Sequence, residues 1–217
     1  MNDLWSKVGT YFPILLEGVV GTILVTAGSL VLSTILGLVW ALMRVSGITW
    51  LSRLSEWIVN LLRSIPIIVI LFYIYFVLPD AGLSLTALQA GILGLGLAYS
   101  AYQAENFRAG IQAVDHGQVE AAMSIGMGWG TTMRRIVVPQ ALRMTLPPYG
   151  NTMIMLLKDS SQASTITVAE LAMQGKLLAL STFDNTTVFT MVALMYMVMC
   201  LPLILVVKQL EKKGNRK

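Results

Sequence analysis

Residues 18–43 read GVVGTILVTAGSLVLSTILGLVWALM and hold no charged side chain. One helix needs about 20 apolar residues to cross a hydrocarbon core, so this run is long enough to span a membrane. Other uncharged stretches that meet or approach that length lie at 64–79, 81–104, 144–157 and 185–207. Composition agrees: of 217 residues 56% are hydrophobic and 12% charged, whereas a soluble domain carries roughly 25% charged and 45–50% apolar residues. The expectation is an all-α integral membrane protein with about five transmembrane helices. Residues 1–217 read as a single membrane domain, with no internal repeat and no low-complexity segment.

Two of the stretches are short. The run 64–79 reaches full length only by taking in Trp57 to Leu62, with Arg63 snorkelling or buried in protein. The run 144–157 needs Ile136 to Leu142, or Lys158 onward, at some electrostatic cost. Pro66 in the one and Pro147-Pro148 in the other predict kinks, because proline removes a helix hydrogen bond and its ring strikes the preceding turn.

Orientation follows from the basic residues. Arg44, Arg53 and Arg63 follow the first stretch; Arg108, Arg134, Arg135 and Arg143 lie between the third and fourth; Lys208, Lys212, Lys213, Arg216 and Lys217 follow the fifth. Of the 15 Lys and Arg, only Lys7, Lys158 and Lys176 fall on the other side. The positive-inside rule then sets the N-terminus outside and the C-terminus in the cytoplasm. These flanks account for the net charge of +4, which leaves no surface for nucleic acid. Residues 1–13 hold Asp3 beside Lys7 rather than a plainly basic head, and the apolar run exceeds a signal-peptide core, which predicts an uncleaved anchor. Cys200 is the one cysteine, so no internal disulfide can form, and with one His a structural zinc site is excluded on ligand count.

Gly47, the run Pro79-Asp80-Ala81-Gly82, and Gly117, Gly126, Gly128 and Gly130 divide the spans. Between Lys158 and Asp184, Ser160, Ser161, Thr165, Thr167, Glu170 and Gln174 interleave with Ile166, Val168, Leu171 and Leu177, which predicts an amphipathic helix at or dipping into the outer surface. Gly91, Gly94, Gly96 and Ala98 form a small-residue surface for close helix packing, either internal or between subunits.

Residues 115–139 are a polar island between the third and fourth stretches. Asp115 followed by Gln118 predicts a capping box and a helix start. Val119, Ala122, Met123 and Gly126 recur at i, i+3, i+4 and i+7 as a short apolar face, Glu120 sits in the first turn, and Gly126 can end the helix in a left-handed cap. A short amphipathic helix held between two spans suits docking into a groove on a soluble partner, and Ala121, Ala122 and Gly126 permit close approach. The triplet Glu120-Ala121-Ala122 alone would serve an ordinary surface helix as well, since Ala and Glu are good helix formers. The spacing of the whole loop separates the two readings.

With Gly126 and then Ile136-Val137-Val138-Pro139, that triplet resembles the EAA loop of ABC importer permeases, with Val138 where the pattern has Leu. The resemblance extends through Arg63-Ser64-Ile65-Pro66, Ala101-Tyr102-Gln103-Ala104-Glu105 with Arg108-Ala109-Gly110, Pro139-Gln140-Ala141 with Pro147, and Asn151 with Leu156-Leu157-Lys158-Asp159-Ser160-Ser161. Over about residues 60–170 these segments are similar, in order, to the polar amino-acid uptake branch of the type I ABC importer permeases. The resemblance implies the type I importer transmembrane fold in a multi-pass protein of the bacterial cytoplasmic (inner) membrane. It implies ATPase coupling through Gln118, Glu120, Ala121, Ala122, Met123, Gly126, Ile136 and Pro139. Besides membrane lipid it implies three partners: an ATP-binding cassette ATPase dimer, a second permease subunit, identical or homologous, and an extracytoplasmic substrate-binding protein. ATP and Mg then belong to the partner ATPase, and this chain is a cofactor-free translocation subunit without catalytic residues. The sequence agrees on one point: the only Gly-Lys, Gly175-Lys176, is followed by Leu177 and has Glu170 where a phosphate loop needs its first glycine.

Charge within the membrane marks a candidate path. Lys158 stands about 22 Å beyond Arg143 along a helix, short of clearing a core about 30 Å thick. Ionisable residues at such depth are functional candidates by default. Asp159 and Glu105 offer counter-charges, and Tyr102, Gln103, Asn151, Ser160 and Ser161 offer hydrogen bonds, a lining suited to the ammonium and carboxylate of a polar amino acid or related small zwitterion. The competing readings are that Lys158 snorkels and Glu105 forms a salt bridge, or that Lys158, Asp159 and Glu105 form the ion or proton site of a self-sufficient secondary transporter.

Overall fold

The structure, a computed structural model, describes residues 2–214 and the side chains of 5–212; Asp3, Lys213, Arg216 and Lys217 of the charge argument lie outside the described side chains. All regular elements among the described residues are helical. Helix α1 (Asn2–Val45) runs unbroken through Pro13, so residues 2–13 belong to the same helix as the first apolar run. Four of its hydroxyl residues point inward. Thr22, Thr26, Ser29 and Ser33 are buried while Ile23, Leu24, Val31 and Ile35 are exposed. Lipid is as apolar as leucine, so membrane helices associate through close packing and hydrogen bonds rather than escape from water, and small residues face the partner helix.

That partner is α4 (Ala87–Gln112), capped by a full capping box in which Thr86 and Gln89 bond each other's backbone. Ser29 Oγ donates to the Ile92 carbonyl at 3.3 Å. The small residues of α4 all face neighbours within this chain: a Cβ on Gly94 would lie 2.7 Å from Leu71, one on Gly96 2.6 Å from Leu32, and one on Gly91 3.2 Å from Val25. Of the two uses expected for this surface, the internal one is realised.

The second expected span is broken. Helix α2 (Thr49–Ser64) and helix α3 (Ile67–Phe72), which continues through a π turn at Tyr73–Val77 and a 3-10 turn at Leu78–Ala81, meet at 97°. Pro66 causes the break: the ring pushes Ile65 into extended backbone, at φ −99 and ψ 130. Trp57 to Leu62 therefore do not extend the span, as the short stretch required, but lie on the far side of the bend.

A further π turn, Met133–Val137, joins α6 (Trp129–Thr132) to α7 (Val138–Asp159). Both π turns end two residues before a proline, Pro79 or Pro139. A proline ring collides with the carbonyl four residues back, and widening the turn by one residue removes the collision. Pro139 accordingly lies inside a continuous helical run that begins at Trp129, and α7 also continues through Pro147-Pro148.

The outer segment departs from the single surface helix expected. It forms a 3-10 helix (Ser160–Ile166) and α8 (Leu171–Thr182), before α9 (Asn185–Gly214). Leu171, Leu178 and Ala179 are buried against Tyr11 and Leu15 of α1 and Val188, Met191 and Val192 of α9. A Cβ on Gly21 would lie 2.1 Å from the Ala169 carbonyl oxygen, so glycine is what lets this segment reach α1. By length and composition α1 and α9 are apolar enough to cross a membrane, and the bent α2–α3 pair makes a third candidate. Helices α4 and α7 are less apolar because they are sheltered: Ser100, Gln103, Thr145 and Thr152 are buried in protein.

Candidate coupling surface and polar path

Helix α5 spans His116–Ser124 in the inner loop. The Asp115 carboxylate accepts from the Gly117 amide at 2.7 Å and the Gln118 amide donates to the Asp115 carbonyl at 3.0 Å. Only half of the expected capping box forms, since the reciprocal bond from the Gln118 side chain is not made. The C-terminal end is as expected. Gly126 has φ +82, its amide donates to the Met123 carbonyl at 2.9 Å, and the Met127 amide reaches the Ala122 carbonyl at 3.0 Å. This double closure satisfies carbonyls the helix leaves open.

The apolar face of α5 is divided. Val119 and buried Ala122 turn inward, Val119 packing on the cluster of Val114, Val137 and Ala141 that seats α5 at the foot of α7. Met123 turns outward, and with Ile125, 79% exposed, and Trp129, 65% exposed, it forms an apolar knob. Gln118, Glu120, Ala121 and Pro139 are also exposed, and Ile136 is half-buried. Arg134 and Arg135 line a shallow cavity of about 400 Å3 beside Trp129. The arrangement can seat an apolar groove with acidic rims.

The path candidates separate into four sets. Asp159 accepts a hydrogen bond from the Tyr99 hydroxyl at 2.7 Å; the Tyr99 ring lies 5.6 Å from that of Tyr102, and the Arg63 guanidinium stands 5.9 Å over the Tyr102 ring. A polar line thus runs from the bend between α2 and α3 to the end of α7. Gln103 and Ser160 are fully buried: Ser160 Oγ donates to the Leu157 carbonyl, Ser161 Oγ to the Lys158 carbonyl, and Gln103 Oε1 accepts from Asn106 while its Nε2 has no partner among the described residues. Asn151 and Lys158 are exposed seven residues apart on one face of α7. Glu105 is held by Arg108 at 2.6 Å within α4 itself. The three charges of the secondary-transporter reading therefore do not assemble: Glu105 pairs with Arg108 and Asp159 with Tyr99, and no ion pair joins Lys158 to either among the described residues.

Sequence reasoning passed over Tyr99 and Asn106, and read Glu170 only as a polar residue of an amphipathic surface helix. Asn106 Nδ2 donates to Thr152 Oγ1 at 2.9 Å as well as to Gln103, tying α4 to α7. Glu170 has no exposed surface; its carboxyl accepts from the Ala172 and Met173 amides at 2.8 and 2.7 Å and from the Tyr196 hydroxyl at 2.7 Å. An acidic residue directly before an apolar helix was the signal available for this N-cap.

The described helices form a bundle in which a short capped helix with an apolar knob sits in the chain between the two long helices α4 and α7. The chain belongs to the family of binding-protein-dependent transport system inner membrane components, whose profile matches residues 8–215. It is 39% identical over 202 residues to the probable glutamine ABC transporter permease protein GlnM of Bacillus subtilis (strain 168), covering 93% of this chain and 94% of that protein. The probable amino-acid ABC transporter permease protein YckA of the same organism is 37% identical over 202 residues, covering 93% and 89%. A crystal structure of an amino acid ABC transporter with histidines contains a chain that superposes with a TM-score of 0.89 at 34% identity, covering 95% of this chain and 97% of that one. This protein is thus a permease subunit of an ABC importer and not itself an enzyme; the ATPase is a separate subunit.

Proposed function

We infer that the chain forms, with a second permease subunit, the path by which a polar amino acid or related small zwitterion enters the cell, driven by an ATPase dimer docked on the α5 surface and supplied by an extracytoplasmic binding protein. Five crossings with the N-terminus outside place α5 and the arginines of the inner loop in the cytoplasm. The observation that carries the reading is the apolar knob of Met123, Ile125 and Trp129, left uncovered around a helix whose own capping is complete at its C-terminal end. Substrate would pass along exposed Asn151 and Lys158 of α7 and the neighbouring Asp159–Tyr99–Tyr102 line, where the Lys158 cation and the Asp159 carboxylate are adjacent in sequence without pairing.

The test is uptake by proteoliposomes. This chain reconstituted with its ATPase and binding protein accumulates radiolabelled glutamine or another polar amino acid only when ATP is supplied on the ATPase side, and the chain alone accumulates none. Concentrative uptake by the chain alone, without ATP, would overturn the importer reading.

A further inference from the structure

Helix α2 presents three chemically distinct faces. Ser55 and Val59 are buried against the bundle, where Ser55 Oγ donates to the Trp40 carbonyl at 2.7 Å and Val59 packs with Ala101 and Ala104. Trp50, Leu54, Trp57 and Leu61, at i, i+4, i+7 and i+11, are 65%, 45%, 75% and 54% exposed. Arg53, Glu56, Asn60 and Arg63 form the third face. At about 100° per residue each occupies roughly a third of the circumference.

Ser55 touches Trp40, whose indole N–H donates to Ser100 Oγ at 3.3 Å, and the Arg63 guanidinium stands over the Tyr102 ring, so α2 is tied to the bundle near its middle and at its end. At Pro66 α2 turns by 97° into α3, and Leu71 and Ile74 of the segment that follows pack on α4 at Gly94. A helix turned out of line with the segment that follows it, with one face apolar and the next charged, has the build of an element in the plane of a membrane surface.

We propose that α2 is an in-plane helix that binds anionic phospholipid of the cytoplasmic leaflet, with Leu54 and Leu61 among the upper acyl chains, Trp50 and Trp57 at the boundary of acyl chains and headgroups, and Arg53 on a lipid phosphate. The cytoplasmic assignment rests on the orientation given under Proposed function. Two observations favour lipid over a second protein. Indole rings settle at the headgroup level because they join an apolar body to an N–H donor, and two of them share this stripe. Glu56 is already paired with Arg44 at 3.2 Å, and Arg53 has no acidic partner among the described residues, which leaves the charged face positive and complementary to phosphate. In a two-fold membrane dimer meeting through this stripe, the positive rows of both copies would lie side by side on the cytoplasmic face.

The experiment uses the full chain in lipid nanodiscs and reads tryptophan fluorescence quenched by phospholipids brominated on the acyl chain, phosphatidylglycerol or phosphatidylcholine at equal mole fraction. The signal of Trp50 and Trp57 is the difference between wild type and the Trp50→Phe/Trp57→Phe double variant. Brominated phosphatidylglycerol should quench that signal about fivefold more effectively than brominated phosphatidylcholine, the preference one basic residue confers at an anionic surface, and Arg53→Gln should bring the ratio to about one. A difference signal that neither lipid quenches would show the face covered by protein, such as a second copy, and would overturn the proposal. So would equal quenching by both lipids in wild type, or a preference that survives in Arg53→Gln. Quenching requires no ATPase: ATP-driven uptake with unquenched tryptophans removes this proposal alone, and quenching as described without uptake removes the functional reading alone.

Discussion

Glu170 shows how one residue can organise the end of this bundle where α8 meets α1 and α9. It opens α8 by accepting two free backbone amides, and its third bond reaches Tyr196 on α9, while Thr22 of α1 accepts the Leu171 amide at 3.1 Å beside it. One polar knot thus joins three helices where lipid supplies no alternative partners. Replacing Glu170 by Ala removes the cap and orphans the Tyr196 hydroxyl, for an expected loss of roughly 2–4 kcal/mol. Thermal unfolding of the purified chain in nanodiscs checks this, with Tyr196→Phe expected to cost about 1–2 kcal/mol, since the two amides keep their acceptor. A wild-type midpoint in Glu170→Ala would show that the knot contributes nothing.

At the level of elements, α5 depends on backbone conformation more than on bulk. A Cβ on Gly126 would meet nothing within 4 Å, so a substitution there is penalised by the left-handed φ of +82 and not by a clash inside this chain. Gly126→Val should cost about 1–2 kcal/mol of local order and lower co-purification of the ATPase several-fold, with membrane insertion unaffected. Gly126→Asn, which tolerates this conformation, should restore most of it. Equal co-purification by wild type and Gly126→Val would separate the cap from docking. The opposite end of the molecule carries a pH-sensitive tie. Asp184, between α8 and α9, has its carboxyl held below the usual carboxylate range, first by hydrogen bonding to Thr187 and then by Lys7 of α1, whose Nζ lies 3.1 Å away. Because the folded state favours the ionised form, the tie is present above the ordinary carboxylate range and is lost as pH falls through the lowered value. Melting curves from neutral to acid pH should show a loss in wild type that is reduced in Asp184→Asn.

Over the whole molecule, the proposed five crossings make a topological prediction. Cysteines placed at exposed Ser84, between α3 and α4, and at exposed Ser124, in the inner loop, should react with an impermeant maleimide from opposite sides. Ser84→Cys labels in intact cells and Ser124→Cys only after permeabilisation, while buried Cys200 contributes little background. Labelling of both from one side would refute the orientation. The sequence by itself determined that the chain is a helical membrane protein and which loop carries a left-handed cap. An uncharged run such as 18–43 and a glycine at Gly126 have few structural solutions, because both constraints act within a single helix or turn. Only the tertiary structure decided which polar groups are structural and which are exposed. Glu105 and Asp159 look alike in sequence, yet one is paired within its own helix and the other across to Tyr99. Likewise, nothing local fixed how far the chain turns at Pro66: the break is local, but α2 and α3 meet at 97° with Val59 packed on Ala101 and Ala104 and Leu71 against Gly94. Such contacts join residues far apart in the chain, and their partners are chosen by shape and hydrogen bonding in a solvent that gives no help in sorting apolar from polar.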